Sequence, residues 1–372
     1  MKSDASYKSN GTVTLKVTCA VVFIVFTFCW LYAFQADMMA VLQHRLSEGQ
    51  TTYNRTVGAV VITALLWVLQ LLLTMVLRLH RSFYALTFVP SMLALADMSA
   101  GGLSLWIYLP VLAVWGYVCS VGHRMRAFED KKAPTGLCSR SMWVNLLQMA
   151  LLMLGVAWLS NTDAVDHFKA HAEVALLHGQ TDEALRVGNR SLETDESLTM
   201  LRAFALAQRQ ELADRLFEYP IAGNGNDLLP DMKDSRSHLL MLSADSLWTT
   251  LGGRPATPMT TQRFLFLLAQ RDSLPRRVVG DYRLCGHLVD RQLDAFARLL
   301  PIYYNKVSAD SLPRYYREAL FLHGQLHGAA AADSIMQQQW ADYRERSAAM
   351  TSVEAYSEYG KSYWYYYDRQ SR

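Results

Sequence analysis

The sequence predicts an all-α protein in two parts, multi-pass transmembrane helices at 1–160 followed by a helical-repeat solenoid at 161–372. Three observations lead there. Apolar runs long enough to span a bilayer are confined to the first part, helical periodicity interrupted by Gly and Pro fills the second, and charge divides between them. Residues 1–159 carry 12 Lys/Arg and 6 Asp/Glu, whereas 160–372 carry 24 and 27. The first part is therefore net +6 and the second net −3. A nucleic-acid binder is excluded, because the exposed part lacks the basic surplus that phosphate contacts require.

A helix needs roughly 20 apolar residues to cross the hydrocarbon core, where no backbone polar group can go unpaired. Five stretches approach that length, at 17–34, 57–77, 83–98, 103–120 and 142–159. The third is short, contains Pro90 and carries Asp97 near its end. The first follows Lys2, Lys8 and Lys16 as a signal peptide would, but it is long and has no small-residue cleavage site, so an uncleaved anchor is expected.

With five spans and the amino terminus inside, the cytoplasmic pieces hold Lys2, Lys8, Lys16, Arg78, Arg81, Arg124, Arg126, Lys131, Lys132 and Arg140, and the outer loops hold only Arg45 and Arg55. The positive-inside rule then places the amino terminus in the cytoplasm and the soluble part in the periplasm of a bacterial inner membrane. Trp67, Trp106, Trp115, Trp143 and Trp158 accompany the spans, the last at an expected interfacial belt. Five cysteines, at 19, 29, 119, 138 and 285, form no disulfide framework or zinc-binding CxxC pair.

From Asp163 onward the spacing is helical, with breaks at Gly179, Pro220–Pro230, Gly252–Pro258, Pro275 and Pro313. Helices of about 12 to 15 residues joined by short turns are expected, as in a solenoid. The segment Asp166–Asp195, DHFKAHAEVALLHGQTDEALRVGNRSLETD, resembles a tetratricopeptide repeat (TPR). Phe168 stands at the large aromatic position, Ala172 and Ala184 at the small helix-crossing positions, Gly179 at the turn and Leu192 near the end; Gly188 replaces an aromatic. A second unit follows in LRAFALAQRQELADRLFEYP, with Ala213 and Phe217 in register. The predicted fold class is thus all-α, multi-pass transmembrane helices followed by a TPR-like α-solenoid.

That second segment, together with LPRYYREALFLHG at Leu312–Gly324 and YSEYGKSYWYYY at Tyr356–Tyr367, resembles an uncharacterised family of bacterial multi-pass inner-membrane proteins, a domain of unknown function with a TPR-like C-terminal portion. The resemblance implies the same architecture and brings no activity with it.

Asp163, His167 and His171 fall at i, i+4 and i+8 on one helix face and could hold zinc. There is no HExxH glutamate, and Asp in a first turn is explained by capping, which is the reading carried forward. His323 and His327 share that spacing, but Gly324 and Gly328 favour a helix end or tight packing. Asp97 is the carboxylate inside an apolar run and a possible intramembrane polar site. The GNGND loop at 223–227 lacks the strand and Lys-Ser/Thr helix of a phosphate cradle, and no nucleophile elbow or kinase set appears. Seven aromatics in the twelve residues 356–367 suit either a cap on the solenoid's end, which is favoured, or a segment at the membrane interface.

These features lead to the expectation of a membrane-anchored scaffold or binding protein that presents its solenoid to a protein or peptide partner at the cell envelope. No cofactor is expected, and the residues do not identify a small-molecule ligand. The alternative is a membrane enzyme or transport accessory acting on a lipid-linked or envelope substrate, with Asp97 at its centre.

Overall fold

The computed structural model describes residues 2–102, 104–125, 139–230, 239–271, 277–305, 307–308, 311–328 and 334–369, and among them the secondary structure is helical with no strand. Arg126, Lys131, Lys132, Cys138 and Pro275, used above, lie outside the described residues. The chain forms two compact units, Met1–Asp163 and Ala164–Arg372.

In the first unit, α1 (Lys2–Cys29) runs into a π-helical turn at Trp30–Phe34, followed by α2 (Ala36–Leu46) and α3 (Arg55–Leu77). A 3-10 stretch, Arg81–Phe88, leads into α4 (Val89–Ala100), and α5 (Leu105–Met125) and α6 (Arg140–Leu159) complete the unit. Asn54 and Ser139 cap α3 and α6 by accepting from Val57 N–H and Met142 N–H.

Among the described residues, five lengths are long and apolar enough to cross a membrane: Val13–Phe34, Arg55–Leu77, Arg81–Ala100, Leu105–Met125 and Arg140–Leu159. Their outward faces are apolar, with Val60, Leu65, Leu72, Leu109, Val114, Leu147, Leu151 and Leu154 exposed. Trp106, Trp143 and Trp158, all exposed, sit at the ends of α5 and α6. A surface of this kind is consistent with a membrane protein.

The third span differs from the rest in a way that accounts for its composition. Its mean hydropathy is 1.3 against 2.3 and 2.5 for the first two, yet 56% of it is buried against 22% or less for every other span. It packs on α1, α3 and α6, with Phe23 and Phe88 rings 5.0 Å apart. Neighbouring polar side chains satisfy it. Asn145 accepts from Ala85 N–H at 2.7 Å and donates to Arg81 O and Ser141 O at 2.8 and 2.7 Å. Gln70 donates to Tyr84 Oη and Thr87 Oγ1 at 3.1 Å each, and Ser91 Oγ donates to Leu66 O at 2.8 Å. A helix surrounded by protein can be less apolar than one facing lipid, and irregular backbone is tolerated where side chains pair it. Pro90 lies in the first turn of α4, where its missing N–H breaks no helical bond.

The second unit contains α7 (Ala164–Leu177), α8 (Thr181–Arg186), α9 (Glu196–Gln208), α10 (Leu212–Arg215), α11 (Ala244–Thr250), α12 (Thr261–Arg271), α13 (Arg277–Val289), α14 (Leu293–Tyr303), α15 (Arg314–Leu326), α16 (Ser334–Ser347), α17 (Ser352–Tyr359) and α18 (Tyr363–Arg369). α7 ends in a left-handed turn at Gly179 (φ 72°), with Gln180 N–H donating to Ala175 O at 2.8 Å. Ala172 before it and Ala184 after it are buried, and α7 packs on both α8 and α9.

The second helix of each expected repeat is short, six residues in α8 and four in α10, where 12 to 15 were expected. Gly188 sits at φ 62° with the Phe168 ring 2.8 Å from where a Cβ would stand, so the chain turns there. The buried Arg202 donates to Val187 O and Gly188 O at 3.3 Å each, pairing carbonyls beyond the end of α8. Leu192 is consequently outside any helix and 54% exposed, a correction to the repeat position expected for it.

One continuous apolar core runs from Ala172 to Tyr366. Successive helices α12, α13, α14 and α15 pack in order, while α10 packs on both α13 and α15, distant from it in sequence. The GNGND loop joins this core by close backbone approach. Gly225 N–H donates to Asp290 Oδ1 at 2.7 Å, and a Cβ at Gly225 would stand 2.4 Å from Gly286 O.

The aromatic tail is buried. Tyr363 and Tyr366 hydroxyls donate to Leu288 O and Val289 O at 3.0 and 2.9 Å, covering the last carbonyls of α13. Glu318 of α15 accepts from Tyr363 N–H at 2.6 Å, and Phe217 packs within 4.9–5.2 Å of Tyr315, Tyr363 and Tyr366.

Candidate functional site: a cleft with an Asp–His–His cluster

The turn between α13 and α14 is three residues long. Arg291 adopts φ 57°, and Gln292 N–H closes back on His287 O at 2.8 Å. This tight hairpin sets Asp294 in the first turn of α14, where the helix dipole favours a carboxylate. α15 packs against α14 and supplies His323 in its last turn and His327 at its C-cap.

Arg291, Gln292, Leu293, Asp294, Ala295 and Arg298 line one side of an open cleft of about 400 Å³, and Leu326, His327 and Tyr367 line the remainder. The Arg291 guanidinium lies 5.1 Å over the Tyr366 ring, and burial pushes the Tyr366 hydroxyl up to about 12. His287 contacts Gln292 Oε1 through Nδ1 at 2.8 Å, and burial holds its imidazole below the ordinary value. The cleft thus offers two guanidinium groups, one carboxylate, and an apolar strip from Leu293, Ala295 and Leu326.

Within it, His323 Nε2 and His327 Nε2 stand 3.0 and 3.5 Å from the same oxygen, Asp294 Oδ1. The two imidazole centroids are 4.3 Å apart. The ligand atoms of these three residues all lie within 4.8 Å of one another, the grouping with metal-binding spacing among the described residues.

The other candidates are placed differently. Asp163 precedes α7 instead of lying in it, its N–H bonded to Asn161 Oδ1 at 2.9 Å. His167 and His171 are on α7, and His171 Nε2 meets Glu183 Oε1 at 3.4 Å. Asp97, half-buried near the end of α4, accepts a hydrogen bond from the Tyr108 hydroxyl. Asp294 was missed in the sequence because it lies 29 residues from His323. The signal available was the His-x-x-x-His spacing itself, and only helix packing brings the carboxylate to it.

No curated protein and no solved structure matches the chain. Of the three segments that carried the family resemblance, those at 312–324 and 356–367 fall inside the matched region and the one at 201–220 precedes it. Residues 258–370, which contain the entire cleft, match the Family of unknown function (DUF6057).

Proposed function

We propose that this is a membrane-anchored scaffold or binding protein whose TPR-like helical unit presents the cleft at Arg291–Arg298 to a protein or peptide partner. In this reading the amino terminus is cytoplasmic and the helical unit faces the periplasm, as the loop charges suggest. The TPR-like register is supported in α7 and α8 by the left-handed turn at Gly179 and by burial of Ala172 and Ala184. The observation that carries the reading is the cleft itself, which combines Arg291 and Arg298 with Leu293, Ala295 and Leu326. Paired guanidinium groups beside an apolar strip suit a short segment with a carboxylate next to an apolar side chain.

A photo-crosslinking residue at Ala295 of the full chain in native membranes tests it. A discrete adduct is expected, weakened by Arg298→Glu and absent when the same residue replaces the exposed Val353. No adduct at Ala295, or the same adduct from both positions, overturns the reading.

A further inference from the structure

We propose that Asp294, His323 and His327 form a three-ligand site for a zinc-type divalent ion, with its fourth position open to the cleft. The proposal stands independently of the peptide-binding reading.

A backbone hydrogen bond orients the His327 ring. Its Nδ1 lies 2.9 Å from His323 O, and a carbonyl can only accept, so that nitrogen carries the hydrogen. Its Nε2 is then the nitrogen left to face Asp294 Oδ1, 3.5 Å away. An outer hydrogen bond from the second ring nitrogen to a backbone carbonyl is also how metal-binding imidazoles are oriented.

The cluster's two imidazoles are 4.3 Å apart and share one carboxylate oxygen. One divalent ion meets all three donors at once. A tetrahedral ion with bonds of about 2.0–2.2 Å holds its donors about 3.3–3.6 Å apart. The separations of 3.0 and 3.5 Å to Asp294 Oδ1 are within a few tenths of an ångström of that range, and the two imidazole nitrogens, within 4.8 Å, reach it by side-chain movement of up to about 1 Å.

Two imidazoles and a carboxylate suit zinc among the common divalent ions and leave one coordination position for water or another ligand. The Asp294 side chain is 70% exposed and that of His327 56%, so this position is accessible. Arg291 and Arg298 in the same cleft favour an anionic fourth ligand.

The test uses the full-length protein in detergent, prepared without a polyhistidine tag, stripped with chelator and titrated with Co²⁺ alone and then Zn²⁺. One equivalent of Co²⁺ with the intense visible absorption of low coordination is expected, displaced by one equivalent of Zn²⁺. His323→Gln and Asp294→Asn should each weaken Zn²⁺ binding by at least about 100-fold, the upper end of what loss of an outer hydrogen-bond partner alone costs. The paired His167→Gln and His171→Gln changes should leave affinity and stoichiometry unaltered, and circular dichroism should show all variants equally helical. Absence of a saturable equivalent overturns the proposal. So does binding that survives His323→Gln and Asp294→Asn, or that is lost with His167 and His171.

Discussion

Glu173 shows how much a single side chain can hold in place. It is fully buried on α7, and its carboxylate accepts from Leu240, Met241 and Leu242 N–H at 2.8, 2.6 and 2.8 Å. Burial pushes its carboxyl above the ordinary value, while the three N–H groups pull it down. Glu173→Ala would leave three donors without an acceptor, each costing about 1–3 kcal/mol if it stays buried. The segment is therefore expected to detach. Hydrogen exchange at Leu240–Leu242 should accelerate sharply in Glu173→Ala and less in Glu173→Gln, and unchanged protection would refute the role. The sequence does not show this contact, because the partners are backbone groups 67–69 residues away. Asp294 is likewise distant in sequence from the side chains that it meets, 29 residues from His323. Residue type and spacing indicate what a side chain can do, whereas the partner that uses it is chosen by packing.

At the scale of elements, turn and small-residue signals are local, whereas helix lengths are not. The turn at Gly179 and the small residues at Ala172 and Ala184 are visible in the sequence, since a left-handed position and a close helix crossing each demand a particular residue type. The stop after Arg186 depends on the buried Arg202 and the Phe168 ring, neither of which is adjacent in sequence. Ala184 is 3% exposed, so Ala184→Phe should overpack the contact between α7, α8 and α9 at roughly 1–3 kcal/mol. Limited proteolysis of that variant is expected to cut first between Ser160 and Arg202, with membrane insertion of the first unit unaffected. If protease resistance there matches the parent chain, the proposed repeat register is wrong. The aromatic tail had two readings in the sequence, a cap or an interfacial segment. Hydroxyl bonds from Tyr363 and Tyr366 hold it against the end of α13.

For the whole molecule, the parity of the spans governs which side of the membrane the helical unit occupies, and parity rests on Arg81–Ala100. A periplasm-active reporter fused after residue 165 is expected to be active and one fused near Lys131 inactive; the reverse pattern would mean that this stretch does not cross. Its enclosure by α1, α3 and α6, with Asn145 and Gln70 pairing its polar groups, supports counting it. By itself the sequence determined the helical class, the five apolar lengths, the change of character near residue 160 and the resemblance in the C-terminal part. These follow from composition and from periodicities of a few residues, which act locally and survive without knowledge of the fold. Only the tertiary structure decided why the third apolar length tolerates polar residues, why α8 and α10 stop early, where the aromatic tail goes, and that Asp294 meets His323 and His327. Each of these depends on groups distant along the chain, and chain packing, not sequence spacing, sets the distance between them.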